Sequence, residues 1–294
     1  MRNRYFIHNG TAIPSIKLLK KIVLLFFSGF LCLGSMANTT LATKQQIEMF
    51  KNTTTCVVLE DGVSFYNAYI KDAVQKYWKS TTYEFIDLRE FERRRNNPKY
   101  SFLVLIDAAY DKDPSGVSYS YVSLVLGDQS DNMTRMPEFC TVPLIYTGDT
   151  ETDYEYIIPS IIKFMQIHVK NLEKDRLPIS VSGLRFYNKA GLKDKVLILN
   201  KDKMASNADT QDKISAVYPY KIKLMTAADI KEEIGKGEMN IIFNYHVGPP
   251  QGAGAGKCFD MIFDTDGNLY YYSTRKITND NKDGFNLNDF KNIK

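Results

Sequence analysis

His246 and Cys258 are the two side chains in this sequence best suited to chemistry, and they flank the glycine-rich stretch GPPQGAGAG at 248–256. An imidazole and a thiol brought together can form a nucleophile pair, but the third group that should orient the imidazole cannot be identified from the spacing. The loop itself fails as a phosphate cradle. Such a cradle needs GxxxxGK followed by Ser or Thr, at a strand-to-helix junction. Gly256-Lys257 supplies the end of that pattern, but Gln251 stands at the first glycine, Cys258 replaces the hydroxyl residue, and strand-like sequence follows. The stretch therefore reads as a mobile connection between strands, with a lid or partner-contact loop as the sharper alternative. His246, Gly252, Gly254, Gly256 and Lys257 are its candidate contact positions.

Two acidic turns look faintly like calcium loops. In the clearer one, Asn279, Asn281 and Asp283 fall on ligand positions, but Phe290 stands where a bidentate Glu belongs. The other, Asp264-Thr265-Asp266-Gly267, reads as a hairpin turn. His168 falls beside the apolar face of a helix and reads as structural. With His168 and His246 the only histidines beyond the N-terminal segment, and with no paired carboxylates or Ser/His/Asp order, no catalytic residue, metal site or cofactor is expected. Tyrosines number 19. Tyr119, Tyr121, Tyr270 and Tyr272 lie on hairpin-like strands, where they would either contact a sugar or partner or cover a sheet face.

The N-terminus has its own character. Lys17, Lys20 and Lys21 precede an apolar run of about 13 residues at 22–34, and Ser35-Met36-Ala37 follows, as in a secretory signal peptide. The run is short of the roughly 20 residues a transmembrane helix needs. Residues 1–37 are therefore expected to be a cleaved leader, giving an exported chain with no membrane span. Removing Arg2, Arg4, Lys17, Lys20 and Lys21 from the 38 basic residues leaves 33 against 34 acidic ones. The balance then invites neither nucleic acid nor an anionic surface. Cys56, Cys140 and Cys258 remain, so at most one intramolecular disulfide can form, and the sequence leaves its pairing open.

The elements that must position these residues occur twice. Residues 55–107 and 195–247 agree in pattern at a displacement of about 140 positions, with Leu197 on Val57, Ile214 on Val74, Tyr218 on Trp78, Met225 on Phe85 and Ile242 on Phe102. Each copy reads as strand, helix, strand, short helix and buried strand. Further strands follow at 118–127, 141–146, 258–264 and 269–273, a helix starts at Pro159, lead-in strand character appears at 184–187, and a short helix ends the chain. The fold class is α/β (α+β), as two tandem related units, each a mixed sheet packed with helices. The divisions are leader 1–37, polar lead-in 38–54, first unit 55–150, bridging helix 151–178 and second unit 179–294.

This succession, with its YW-Lys or YPYK turn after the first helix, resembles exported tandem-repeat α/β proteins of Bacteroidetes-type Gram-negative bacteria. More loosely, each unit resembles the N-terminal α/β module of TolB-like periplasmic proteins. The resemblance implies a periplasmic or outer-membrane-associated location and carries over no catalytic residue. The function expected is non-catalytic binding of another envelope protein. The alternatives are a glycan- or small-ligand-binding protein and a thiol-dependent enzyme built on Cys258.

Overall fold

The structure, a computed structural model, describes residues 3–7, 40–110, 115–130, 133–147, 149, 154–174, 183–190, 192–238, 240–250, 252–278 and 282–294. The apolar run at 22–34 and two of the three calcium-like positions, Asn279 and Asn281, lie outside the described residues.

The chain is a mixed α/β protein built on two sheets. The first contains β1 (Asn3–Ile7), β2 (Thr54–Val58), β3 (Thr82–Ile86), β4 (Tyr100–Tyr110), β5 (Ser118–Leu126) and β6 (Glu138–Tyr146). Its order is β3-β2-β4-β5-β6, with β1 antiparallel to the outer half of β4. The second contains β7 (Val196–Asn200), β8 (Ile222–Met225), β9 (Ile241–Val247), β10 (Lys257–Asp264) and β11 (Leu269–Lys276), in the order β8-β7-β9-β10-β11. Both sheets pair three strands in parallel and then turn antiparallel. Parallel neighbours require crossovers, which the helices provide.

Helix α1 (Lys44–Phe50) buries Ile47 and Phe50, and Phe50 packs against Trp78 and Phe139. Ser64 caps α2 (Phe65–Tyr77), which buries Tyr66, Ile70, Ala73 and Val74 at helical spacing. Asp87 caps α3 (Leu88–Arg94) in the same way. In the second unit, the first helix is only α5 (Gln211–Ser215), shorter than α2, because Thr210 caps it late and Pro219 follows closely. A Thr226–Asp229 capping box starts α6 (Ala227–Gly235), and an Asn286–Asp289 box starts α7 (Leu287–Ile293).

Two sequence readings change. The displacement is not uniform: Val57 faces Leu103 and Leu197 faces Ile242, so β9 is displaced from β4 by 139 positions while β7 lies 140 from β2, and Ile222, not Met225, takes the place of Phe85 beside the first strand. Residues Gly183–Tyr187 form a 3-10 turn, not a strand. Asn188 then mimics a strand with its side chain, donating to Tyr272 O at 3.1 Å and accepting from Tyr272 N at 2.7 Å. This blunts the exposed edge of β11.

The bridging helix is α4 (Ile158–Glu173), with Pro159 in its first turn. Gln166 ties it to the end of α2, accepting from Lys79 N at 2.7 Å and donating to Tyr77 O at 3.0 Å. Ser160 and Lys163 donate to the β10–β11 turn at Asp264 O and Thr265 O, 3.2 and 2.6 Å away. One face of β9 and β10, carrying Phe243, Tyr245, Val247, Phe259 and Met261, joins the first unit's core. The other face packs Ile242 and Ile262 against α5 and α7 through Ile214, Phe290 and Ile293. The apolar core is thus continuous across the two units.

Candidate functional site

The polar cluster lies on the second face of β9 and β10. Residues alternate across a strand, so Ile242, Asn244 and His246 share one side of β9, as do Cys258, Asp260 and Ile262 on β10. The ladder places His246 directly opposite Asp260, and Cys258 opposite Arg275 of β11. The imidazole is held from both sides: Nδ1 is 2.6 Å from Asp260 Oδ1, and Nε2 is 2.9 Å from Asp283 Oδ1. The Cys258 thiol donates to the same Asp283 oxygen at 3.0 Å. Arg275 hydrogen-bonds Asp260 and the Gly284 carbonyl, and lies 3.5 Å from Asp289. Asp289 accepts from Tyr271 at 2.9 Å and from Asn286 N at 2.8 Å.

Asp283 reaches this position because residue 248 is glycine. A Cβ at Gly248 would stand 2.3 Å from the Asp283 carboxylate. Loop geometry and the missing side chain together admit the acid over the strands.

Charge and burial set the protonation states. Burial alone would lower the His246 pKa, but Asp260 and then Asp283 outweigh it and raise it to about 9. An imidazolium therefore sits between two carboxylates at neutral pH. Burial opposes ionisation of Asp283, yet its contacts with His246 bring it to about 2. Burial, reinforced by the neighbouring Asp260 carboxylate, raises Asp289. Cys258 is pushed well up, first by burial and then by Asp283. A thiol so placed is not poised as a thiolate nucleophile. All of Cys56, Cys140 and Cys258 are buried free thiols, so the possible disulfide among them does not form.

His246 and Asp283 also line a cleft of about 780 Å³ between the two units. One wall is Leu144, Ile145 and Tyr146 of β6 with Asp149, joined by Tyr154 and Tyr156 from the lead into α4; its second-unit wall is Asn200, Asp202, Lys203 and the residues from Tyr245 to Pro249. Asn200 and Val247 end β7 and β9. The cleft thus lies outside the carboxyl ends of parallel strands, where α/β sheets present their ligand crevices. An aromatic run leads to it from α2: Phe65 and Tyr69 stack at 6.2 Å, and Tyr69 meets Tyr154 edge-on at 5.7 Å. Phe65 is 63% exposed.

The candidate residues read from sequence scatter. Tyr119 and Tyr121 are buried between the units. The Tyr119 hydroxyl donates to Lys257 O and accepts from Lys257 N, both at 2.8 Å, and Tyr121 shares a 2.8 Å hydrogen bond with Tyr110. Lys257 Nζ lies 3.3 Å from the Tyr110 ring centre. A partner could meet these tyrosines only if the units separated. Tyr270 bonds Asp264 at 3.0 Å under Lys189 and Lys195, and Tyr272 is held by Asn188. Gly252 and Gly254 are exposed, whereas Gly256 is buried with φ +134°, and a Cβ there would meet Pro249 and Tyr119. Asp264 is a satisfied turn carboxylate, accepting from the backbone N–H groups of Asp266 and Asn268 at 3.0 and 2.8 Å. His168 is buried as read, with Nδ1 2.9 Å from the Tyr187 hydroxyl.

One grouping of possible ligand side chains was not visible in the sequence. His246, Cys258 and Asp283 bring their donor atoms within 4.8 Å of one another. The sequence gives His246 and Cys258 no orienting carboxylate; the structure supplies Asp260 and Asp283. Cross-strand register brings the first, and folding of the C-terminal segment over β9–β10 brings the second. Compared with known proteins, the chain matches no family model, no curated protein and no solved structure. Among the described residues, no helix is long and apolar enough to cross a membrane.

Proposed function

We propose that the protein is an exported, non-catalytic binding protein that takes a small polar ligand, with a glycan the leading class, in the cleft between its two units. The cleft carries this reading. Its volume of about 780 Å³ falls in the range of small-molecule sites. Phenols and amide or charged groups line it together, and these suit a polyhydroxylated ligand: rings supply flat apolar area and polar tips supply directed hydrogen bonds. The Phe65–Tyr69–Tyr154 run extends the aromatic surface to the rim. An envelope location is the setting in which such a ligand is met.

The test is a thermal-shift and calorimetric screen of the purified protein against mono- and oligosaccharides. Binding to the native state alone raises Tm with ligand concentration. At least one saccharide should do so, and Tyr154→Ala should abolish the shift without lowering the unliganded Tm by more than a few degrees. A screen with no shift, or shifts unaffected by Tyr154→Ala, would remove the reading. Exposure of Val63 and Phe65 favours a second reading, docking of an envelope protein at this rim. Crosslinking in the native envelope, repeated with Phe65→Ser, separates the two. The buried, strongly raised Cys258 thiol speaks against the thiol-enzyme alternative.

A further inference from the structure

We propose that His246 Nε2, Cys258 Sγ and the Asp283 carboxylate form a binding site for one divalent transition-metal ion of the zinc type, with a fourth coordination position facing the cleft.

The three donors come from three separate elements: β9, β10 and the segment before α7. They already converge, with Nε2 2.9 Å and Sγ 3.0 Å from one Asp283 oxygen, and all three donor atoms within 4.8 Å of one another. Ligands of a tetrahedral zinc ion stand at about 2.0–2.3 Å from the metal, so donors sit somewhat further apart than these hydrogen bonds. The adjustment needed is small and falls on the right group. Asp283 has 42% of its side chain exposed, while the His246 and Asp260 side chains are 2% and 0% exposed and fixed on paired strands. Outward movement of Asp283 opens the space for an ion.

The surroundings are those of a ligating histidine. Metal-bound imidazoles characteristically give their second nitrogen to a carboxylate, which fixes the ring and its tautomer. Asp260 occupies that role at 2.6 Å from Nδ1, and Arg275 holds the other Asp260 oxygen. Gly248 leaves room for the third ligand. One nitrogen, one sulfur and one carboxylate oxygen select a borderline-soft ion over calcium or magnesium, which prefer oxygen alone. His246, Gly248 and Asp283 face the cleft, so the ion has an entry path and a position left for water or a ligand atom. On binding, the metal replaces the proton of the thiol and that on Nε2, and no oxidant or further reactant is required.

Metal binding is independent of saccharide binding, and the ion alone tests it. The full chain, purified and stripped with a chelator, is titrated with Co2+ and then with Zn2+. One Co2+ per chain should bind, giving a thiolate-to-cobalt absorption band and the intense visible bands of four-coordinate cobalt, and Zn2+ should displace it. Cys258→Ser should remove the thiolate band, and Asp283→Ala, at a partly exposed position that leaves the fold intact by thermal melting, should weaken binding at least tenfold. No stoichiometric binding, a cobalt spectrum without the thiolate band, or unchanged affinity in Asp283→Ala would overturn the site. Each of these leaves the saccharide screen unaffected.

Discussion

The same step of the ladder holds different chemistry in the two sheets. In the first, Asp107 faces Ser120 across β4 and β5, and the serine donates to the acid at 2.6 Å. In the second, the corresponding strands place His246 opposite Asp260, also at 2.6 Å. The first pair needs one proton donor and one acceptor. The second gathers Arg275, Asp283, Asp289 and Cys258 around it and meets the cleft. A shared backbone plan therefore does not dictate a shared site. Two side-chain changes on one ladder step, with a C-terminal segment folded over them, turn a buried hydrogen bond into a charged centre.

Substitutions on the two ladder steps should have unequal effects. The largest effect is expected from Arg275→Met. Asp260 is fully buried and would lose its guanidinium partner, at a cost of roughly 3–5 kcal/mol for breaking a buried ion pair. Urea unfolding measures it, and a loss below about 1 kcal/mol would mean the cluster does not act as a linked charge network.

A second effect concerns α4, which both sheets share. Burial lowers the His168 pKa to about 4, against a smaller opposing contribution from the Phe139 backbone. The unfolded chain, with an ordinary value near 6.5, binds the proton first. The His168 contribution is therefore complete above about pH 6.5 and is lost as pH falls from there through about 4, amounting to a few kcal/mol. Comparing unfolding free energies of the wild type and His168→Gln from pH 7 to pH 4 isolates it. Parallel curves would show that His168 does not titrate in this way.

Smaller still is Ser120→Ala, the first sheet's counterpart to disturbing the second. It removes one hydrogen bond to Asp107 and should cost about 1 kcal/mol. A cost equal to that of Arg275→Met would erase the distinction between the two pairs. Smallest is Gly248→Ala. The new methyl would displace the Asp283 carboxylate 2.3 Å away, but Asp283 is partly exposed and can swing aside. A stability loss within about 1 kcal/mol is expected, together with weaker cobalt binding.

Much of the architecture was readable from the chain. Alternating and 3.6-residue apolar patterns are local, so β5 and β10 are found close to their expected limits, and a short helix, α7, ends the chain. Pro143 sits on β6, an edge strand, where its missing N–H breaks no central ladder. The short α5 and the 3-10 turn at Gly183–Tyr187 were not readable, since cap position and edge coverage decided them. The candidate site was half legible. His246 and Cys258 stood out by residue type, whereas Asp260, Arg275 and Asp289 look like ordinary charged positions until the strands are paired. Asp283 stood out only within a calcium-like turn, because its own chain neighbours are what a linear pattern shows.

The α/β class, the doubled succession of elements and the structural role of His168 are written in the chain, because each follows from short-range periodicity and composition. Tertiary structure alone decided that the two units share one core, that Tyr119 and Tyr121 face inward, and that His246 lies between two acids. Those outcomes depend on which strand pairs with which, on a one-residue change in register, and on a C-terminal segment crossing β9 and β10. Such contacts join residues far apart in the chain, and no local pattern of side chains encodes them.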